Sequence, residues 1–374
     1  MDDMIKRFLF LVFTIITISF SANSQVYHRI RDSIKIPAPP GYITLKMDPH
    51  LHTVFSDGLV WPTVRVNEAW KEGLDAISLT EHIEYRRFSQ DVVADHNRSY
   101  EIAKPLANQL DILLIQGAEI SRSMPPGHFN AIFLHDANKL DVEDWRDAML
   151  AARAQDAFMW WNHPGWDRQQ PDTTLWFEEH SWLLYNDMLH GIEVYSGRTY
   201  YPEAHQWAIE KNLTMIGTTD LHNPIDTNYG DKRRPMTLIF ANERSTEGIR
   251  EALFAGRTAV YFDDKLIARK EYLDAVFKES LQVISVTRRK GFYGIELFNP
   301  TDIPIILSKA RGNNTDFEFA RTTIIAGGAY LNMPVYIHNA LEYNQIELKF
   351  NIDNYLVAPR EGLPVTMRFV PDNL

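Results

Sequence analysis

The sequence contains no cysteine among its 374 residues. Disulfide bonds and thiolate metal sites are therefore excluded, and any bound metal must use His, Asp and Glu as ligands. Basic residues are outnumbered as well, with 38 Lys and Arg against 49 Asp and Glu and a formal net charge of −11. A chain with this charge is not expected to bind nucleic acid along an extended surface.

Long hydrophobic runs are scarce, and the one that stands out lies near the start. MDDMIKR leads into the apolar FLFLVFTIITISF and then into SANSQ, an order typical of a secretory signal peptide. The run is shorter than the roughly 20 residues of a membrane span. We predict a signal peptide over residues 1–24, a periplasmic or secreted mature protein, and no membrane association after cleavage. A retained membrane anchor is the alternative.

Apolar runs alternate with helix-like stretches after a polar N-terminal extension at residues 25–42. Seven runs are rich in strand-forming residues: YITLKMD, DAISLTEH, DILLIQGAE, HFNAIFL, AFMWWNHP, HGIEVYS and LTMIGTTD. Helix-like stretches lie at residues 62–73, 96–110, 141–155, 202–212 and 244–256, and PMTLIFA adds a further candidate strand. The alternation predicts an α/β fold with βα units around a parallel sheet. Seven strands favour a closed or nearly closed barrel over residues 43–273.

The alternation of strand-like and helix-like segments ends at about residue 274, and residues 274–374 have a different pattern. LQVISVTRR, GIELFNPTDIPIILS, TTIIAGGAY, MPVYIHNA, QIELKFNI and VTMRFV are β-rich segments with turn residues between them. We predict a small C-terminal domain that resembles a β-sandwich. It offers almost no grouping of catalytic residue types, so we expect it to pack on the barrel or to bind a ligand.

Metal-competent residues fall at the carboxyl ends of the apolar runs: His50 and His52, His82, Glu119, His163, Asp220 and His222. In β/α barrels the active site is built at this end of the strands. His50-x-His52 and Asp220-x-His222 place alternate side chains on one side of an extended chain. Asp57 follows the first pair in a turn with Gly58, and His128 begins a strand. Nine such donors, with no cysteine, suit a cluster of Zn²⁺, Mn²⁺ or Fe²⁺.

The succession D-x-H-x-H, S-D-G, T-E-H, G-x-E, G-H, N-H-P-G and D-x-H resembles the PHP superfamily, named for polymerase and histidinol phosphatase. The resemblance covers roughly residues 43–260 and implies a distorted seven-stranded β/α barrel with two to three divalent metals. It implies that the first metal is held by His50, His52, Glu119 and Asp220. Glu119 would bridge to a second metal held by His128 and His163, and the third would be held by Asp57, His82 and His222. Many members have His where Asp57 stands.

Other residues are assigned to the reaction and to the substrate. We expect Asp220, Glu119 and His222 to act in the reaction itself. Arg122, Arg198 and Arg87 are candidate phosphate-binding residues, with a solvated surface arginine as the alternative for each. Glu193 follows a strand in the same register and is expected to orient a ligand histidine.

The resemblance extends to a branch of secreted phosphodiesterases, so the expected substrate is a small phosphoester, hydrolysed by a metal-activated water. A phosphomonoesterase with the same site and a carbamate or carboxylester hydrolase are the alternatives. A non-catalytic protein that binds carbohydrate or phosphate through its β-rich region would be expected to have degraded metal motifs, and these motifs are intact. No G-x-S-x-G motif is present, and without cysteine a thiol enzyme is excluded.

Overall fold

The structure is a computed structural model that describes residues 30–230, 232–339 and 343–372. The chain divides into two compact units, Met1–Arg31 and Asp32–Leu374, and the features below belong to the second unit. The predicted signal peptide, residues 1–24, lies outside the described residues. Within the described ranges, no helix combines the length and the apolar character needed to cross a membrane.

Each of the seven predicted apolar runs forms a strand. These strands are β1 (Ile43–Leu51), β2 (Ala76–Leu79), β3 (Leu113–Ser121), β4 (His128–Ile132), β5 (Phe158–Trp161), β6 (Gly191–Ser196) and β8 (Thr214–Thr218). Four more strands belong to the same region: β7 (Thr199–Tyr200), β9 (Met236–Ala241), β10 (Thr258–Phe262) and β11 (Lys265–Ala268). PMTLIFA thus supplies β9, as its sequence predicts.

The seven predicted strands pair in parallel except at β4, a reversal that the sequence did not predict. β1, β2 and β3 are parallel neighbours, and so are β5, β6 and β8. β4 runs antiparallel to both β3 and β5. The connection at residues 122–127 is too short for a parallel crossover, which needs a dozen residues or more. As a result, the first residue of β4 reaches the edge where its neighbours end.

Contacts near the carboxyl ends bring β8 back to β1. Leu51 and Leu221 form a parallel bridge, and the backbone N–H of His52 donates to the carbonyl oxygen of Leu221 at 3.1 Å. The backbone N–H of Gly217 in β8 donates to Thr237 Oγ1 of β9 at 2.9 Å, and β9 pairs antiparallel with β1. The α/β class is confirmed by this arrangement, whereas the count of seven barrel strands stays a prediction.

Helices connect these strands, and most of them lie close to the predicted positions. They are α1 (Pro62–Lys71), α2 (Arg98–Gln109), α3 (Trp145–Arg153), α4 (Glu178–Tyr185), α5 (Pro202–Glu210), α6 (Ile225–Asn228), α7 (Thr246–Phe254) and α8 (Lys270–Ser280), with a 3₁₀ turn at Ala137–Leu140. Proline opens α1 and α5, where its missing N–H would have no intrahelical partner. α4, α6 and α8 were not predicted.

Large apolar side chains fill the space enclosed by the strands. The buried cluster includes Met47 of β1, Ile115 of β3, Trp160 of β5, Ile216 of β8 and Ile239 of β9. A barrel filled in this way has no room for a central binding site, so ligands must bind at one end.

The remaining strands form the predicted β-rich region. They are β12 (Gln282–Arg289), β13 (Phe292–Phe298), β14 (Ile305–Lys309), β15 (Phe317–Glu318), β16 (Thr322–Ile325), β17 (Tyr330–Ile337), β18 (Ile346–Ala358) and β19 (Glu361–Phe369). One sheet has the order β12-β13-β17-β15, and β16, β14, β18 and β19 join the large sheet through a parallel pairing of β18 with β11. The domain boundary expected between residues 273 and 274 falls inside α8 and stays a prediction.

Candidate metal centre

The predicted metal donors converge at the carboxyl end of the barrel strands. The donors form three groups, and within each group the donor atoms lie within 4.8 Å of one another. Together the groups contain His50, His52, Asp57, His82, Glu119, His128, Asp220 and His222. His163, the ninth predicted donor, lies just outside these groups, with its Nε2 3.7 Å from Glu119 Oε1. Donors from six separate segments of the chain therefore meet in one place.

The first group consists of His50, His52, Glu119 and Asp220. The Nε2 atoms of His50 and His52 are 3.0 Å apart, and each lies 3.1–3.2 Å from Asp220 Oδ1. Glu119 Oε2 lies 3.3 Å from His50 Nε2 and 3.2 Å from His52 Nε2. Ligands placed about 2.0–2.1 Å from a tetrahedral zinc ion are about 3.3 Å from one another. The spacing of these four atoms therefore fits a single small cation.

Glu119 faces further imidazoles with its second oxygen. Glu119 Oε1 lies 2.8 Å from His128 Nδ1, while Oε2 also lies 3.0 Å from His82 Nδ1. The amide of Asn162 donates to Oε1 at 3.1 Å, and the Glu119 side chain is fully buried. A carboxylate whose two oxygens face separate sets of imidazoles is suited to bridge two cations.

The third group surrounds Asp57. Its Oδ1 atom lies 3.1 Å from His222 Nε2 and 3.4 Å from His82 Nε2. This oxygen is buried and has no hydrogen-bond partner among the described residues. A buried carboxylate oxygen without a hydrogen-bond partner is energetically costly. A cation bound by this oxygen and the two imidazoles would remove that cost.

A glycine allows the loop after β1 to bring Asp57 into this position. The backbone N–H of Gly58 donates to the carbonyl oxygen of Thr53 at 2.9 Å. A Cβ atom at Gly58 would lie 2.6 Å from the carbonyl group of His52, so a larger residue does not fit there.

Glu193, predicted to orient a ligand histidine, is hydrogen-bonded to two of the predicted donors. Its Oε1 atom accepts a hydrogen bond from His50 Nδ1 at 2.7 Å, which leaves Nε2 of the same ring facing Asp220 and Glu119. Its Oε2 atom accepts the backbone N–H of His163 at 2.7 Å. One fully buried carboxylate therefore contacts both the ring of His50 and the backbone of His163.

Two of the donors have strained backbones. Asp220 has φ of 50° and His163 has φ of 29°, values in the left-handed region that non-glycine residues rarely adopt. Strain of this kind persists where surrounding contacts impose it, and it concentrates at functional sites. Each residue lies two positions after the end of a barrel strand, where the chain turns and its side chain reaches the cluster.

Burial and mutual attraction together set the charges of the cluster. Burial by itself raises the pKa of Glu119, but the imidazoles of His82, His50 and His128 hold that pKa well below its ordinary value. Burial likewise opposes ionisation of Asp220, and His50 and His222 hold its pKa well below the ordinary range. Burial lowers the pKa of His222, whereas Asp220 and Asp57 raise it to about 9. The carboxylates stay ionised, the state that binds cations.

Comparison with known proteins identifies the fold. A two-domain protein from Bacteroides vulgatus, containing a predicted PHP-like metal-dependent phosphoesterase, is 48% identical to this chain. The similarity covers 91% of this chain and 99% of that chain, with a TM-score of 0.88. The chain belongs to the PHP superfamily.

Other structures share less with this PHP chain. A putative metal-dependent phosphoesterase from Bifidobacterium adolescentis is 16% identical over 57% of this chain and 96% of its own, with a TM-score of 0.42. An amidohydrolase from Chromobacterium violaceum is 17% identical over 48% of this chain and 88% of its own, with a TM-score of 0.37. No protein-family model and no curated protein matches the chain.

A cavity of about 870 Å³ opens above the PHP metal donors. Its lining includes Asp57, His82, His128, His163, Asp220 and His222. Two predicted phosphate-binding residues, Arg122 and Arg198, also line it. Arg87 is exposed and lies outside the set of described residues that form this wall.

The two predicted phosphate-binding arginines that line the cavity differ in availability. The guanidinium of Arg122 lies 2.7 Å from Glu84 Oε1 and donates to the carbonyl oxygens of Glu143 at 2.6 Å and Val142 at 2.7 Å. One carboxylate and two carbonyl oxygens already contact this guanidinium, so it is less available to a phosphate than Arg198 is. Arg198 donates to the carbonyl oxygen of Asn228, and among the described residues no carboxylate pairs with it.

Sequence reasoning missed three side chains that hold the donors in place. Glu81, beside His82, accepts hydrogen bonds from the backbone and side chain of Thr53 at 3.0 and 2.5 Å and from Ser56 Oγ at 2.6 Å. It therefore braces the loop that carries Asp57. In T-E-H, His82 was the more evident metal-ligand candidate. Only the folded structure shows that Glu81 forms hydrogen bonds with another segment of the chain.

The other two are buried and lie beneath the cluster. Asp48, in D-x-H-x-H, accepts hydrogen bonds from the backbone and side chain of Thr219 at 3.2 and 2.6 Å and pairs with Arg234 at 3.1 Å. Arg65 in α1 is fully buried and bonds to the backbone on both sides of the barrel seam. The aspartate of the motif was the available signal for the first, whereas nothing local distinguished Arg65.

Proposed function

We propose that the protein is a metal-dependent phosphodiesterase. The observation that carries this proposal is the combination of a complete His, Asp and Glu cluster with a cavity of about 870 Å³ above it. Known ligand cavities span about 300–1,000 Å³, so this one holds a phosphate together with two ester substituents. The similarity to a protein containing a predicted PHP-like metal-dependent phosphoesterase supports the same chemistry.

The residues that would hold two to three divalent cations are those of the three groups. We assign the first cation to His50, His52, Glu119 and Asp220, the second to Glu119, His128 and His163, and the third to Asp57, His82 and His222. Imidazole and carboxylate donors without thiolates suit Zn²⁺, Mn²⁺ or Fe²⁺. Bound cations supply charge stabilisation at phosphate oxygens and lower the pKa of water toward 7.

The side chains themselves provide position and charge. Displacement at phosphorus depends mainly on these two contributions, and it requires no nucleophilic side chain. Asp220 and His222 line the cavity together with four other donors and can face substrate, whereas Glu119 is fully buried and does not line it. Glu193 keeps Nδ1 of His50 occupied, so its Nε2 remains directed into the cluster.

The cations of the wall favour a diester over a monoester. A monoester carries two negative charges and calls for a tight cationic clamp, whereas a diester carries one charge and needs more room. Of the three arginines that line the cavity, Arg122 is already neutralised by Glu84, whereas Arg168 and Arg198 are exposed. Two exposed guanidinium groups do not make a tight clamp, and the cavity leaves room for a second ester substituent.

Parallel assays test the proposal on the metal-loaded protein. We expect bis(4-nitrophenyl) phosphate to be hydrolysed with a higher kcat/KM than 4-nitrophenyl phosphate, and chelation followed by dialysis to remove both activities. A clear preference for the monoester would replace this assignment with a phosphomonoesterase. Faster hydrolysis of aryl esters or carbamates than of either phosphate would assign the site to carbon esters instead.

We also propose that the mature protein is exported and that its substrate is a small soluble phosphoester. The support is the tripartite N-terminal sequence and the net charge of −11, which disfavours polyanionic partners. N-terminal sequencing of protein recovered from a periplasmic or culture fraction should begin at Gln25. Recovery of the full-length chain in the membrane fraction would instead support a retained anchor.

A further inference from the structure

Trp166 occupies the edge of the metal-centre cavity, beside two of the donors. Its ring lies 5.6 Å from the ring of His128 and 5.3 Å from that of His163, at interplanar angles of 63° and 65°. The indole is partly exposed and lines the cavity. Trp160 and Trp161, which precede it by a few residues, are fully buried. Trp166 is therefore the tryptophan of this segment that a substrate can touch.

The loop around Trp166 is held firmly. Its backbone N–H donates to the carbonyl oxygen of His163 at 2.9 Å, and its own carbonyl accepts the N–H groups of Gln169 at 2.9 Å and Gln170 at 2.8 Å. The buried side chain of Gln170 donates to the carbonyl oxygen of Pro164 at 2.7 Å. Binding to the indole would thus require little ordering of the loop, which favours affinity.

The large nonpolar side chains that line this cavity are all aromatic. Its lining residues include Tyr85, Trp166, Tyr201 and Tyr229, but no Val, Leu, Ile or Met from the described part of the chain. Tyr85 is 53% exposed, and its ring lies 6.2 Å from that of His82. Tyr201 is buried, whereas Trp166 and Tyr229 are partly exposed and Tyr85 is exposed. Such walls interact better with a planar ring than with an alkyl chain.

We propose that Trp166 determines specificity by stacking against a planar ring carried by one ester substituent of the substrate. The substrate class is then an aryl or heteroaromatic phosphodiester, and this inference rests on the proposed phosphodiesterase function. Arg168, whose guanidinium carbon lies 5.7 Å from the indole centroid, adds a cation with no carboxylate partner among the described residues. It increases the polarity of the same wall near the phosphate.

Two diesters that share the same leaving group isolate the effect of the ring on the retained substituent. Phenyl 4-nitrophenyl phosphate and methyl 4-nitrophenyl phosphate release the same product and differ only in the retained substituent. In the wild type we expect the phenyl ester to have the higher kcat/KM. In Trp166→Ala the ratio of phenyl to methyl kcat/KM should fall by about 10-fold, mainly through KM, and Trp166→Phe should restore most of it.

A structural role of Trp166 would give a different pattern. If the indole merely supports His128 and His163, both esters should lose kcat/KM in parallel and the metal content should fall. That result, or an unchanged ratio in Trp166→Ala, would overturn the proposal. Trp145→Ala serves as the control, because Trp145 is partly exposed on α3 and does not line the cavity. It should change neither the ratio nor the metal content.

Calorimetric binding separates this inference from the proposed function. We expect the metal-loaded wild type to bind diphenyl phosphate about 10-fold more tightly than dimethyl phosphate, and Trp166→Ala to remove the difference. If the wild type binds in this way but hydrolyses neither diester, the phosphodiesterase assignment fails while the ring site stands. If both phosphates bind equally, the ring site fails whatever the catalytic result.

Discussion

Arg65 joins the two ends of the barrel seam by donating to the carbonyl oxygen of Leu221 at 2.8 Å. The same guanidinium donates to the carbonyl oxygens of His52 at 2.9 Å and Asn223 at 2.8 Å. His52 and Leu221 each lie on a segment that carries metal donors. One buried cation on α1 therefore ties the loop after β1 to the loop after β8.

Replacing Arg65 should weaken both the fold and the metal centre. Arg65→Met leaves three carbonyl oxygens and the buried Glu68 without this donor, and breaking a buried pair costs about 3–5 kcal/mol. We expect a lower free energy of unfolding in urea and a lower metal content. Arg98→Met is a matched control, since Arg98 pairs with Glu101 at 2.8 Å with the same spacing in sequence, but at the surface. It should cost about 0–1 kcal/mol, and equal losses in the two variants would contradict the role given to Arg65.

Removing a donor of the first group should abolish turnover while leaving the fold formed. His50→Ala deletes the imidazole that faces Asp220 and Glu119. We expect kcat/KM for bis(4-nitrophenyl) phosphate to fall by more than about 100-fold, the upper loss seen even for residues that only orient ligands. His135→Ala, at an exposed histidine, should keep wild-type activity. Full activity in His50→Ala, with an unchanged circular dichroism spectrum, would refute the site.

Glu193 should act through His50 without contacting substrate. Glu193→Gln retains the shape of the side chain but loses the charge that accepts from His50 Nδ1 at 2.7 Å. Metal affinity or kcat/KM should fall by about 10–100-fold. Competition with a fluorescent chelator measures the affinity directly. Glu203→Gln, on the exposed face of α5, provides the comparison and should behave as wild type; an unaltered affinity in Glu193→Gln would exclude the orienting role.

Asp57 should control the occupancy of one cation. Its buried Oδ1 lacks a hydrogen-bond partner among the described residues and faces His82 and His222. Asp57→Ala should lower the metal content per chain, measured by mass spectrometry after dialysis, and leave the first group occupied. Asp147→Ala, exposed on α3, should retain the full content. An identical content in the two variants would show that Asp57 holds no cation.

His180 should make the fold sensitive to acid. Burial lowers its pKa to about 4, and the neutral ring stacks on Trp161 at 3.7 Å while Nε2 donates to the carbonyl oxygen of Pro126 at 2.8 Å. Because the folded pKa lies below the unfolded value of about 6.5, this contribution is complete above pH 6.5 and is lost as the pH falls toward 4.

The pH dependence of Tm isolates this effect. We expect the metal-free wild type to lose Tm between pH 6.5 and 4 more steeply than His180→Phe, which cannot be protonated. The metal-free state removes the contribution of cation binding, and the slope is informative even if the variant is less stable throughout. Parallel slopes would assign the acid sensitivity to other groups.

The sequence by itself determined the donors and the end of the barrel where they meet. His50 near the end of β1 and His52 just after it are two positions apart, and in an extended chain this spacing sends both side chains the same way. The carboxyl ends of parallel strands meet at one edge, so the strand pattern was sufficient to gather His82, Glu119 and Asp220.

Only the tertiary structure determined which residues around the metal donors are paired, buried or exposed. Arg122 looks like a phosphate-binding residue in the sequence, yet Glu84 and two carbonyl oxygens occupy it, because chain segments distant from it come close. Arg65 carries no local signal for its contacts with residues about 150 positions away. Local periodicity specifies strands and the direction of side chains, whereas pairing and exposure depend on which segments pack together. For the same reason Trp166 differs from Trp160 only in the folded chain.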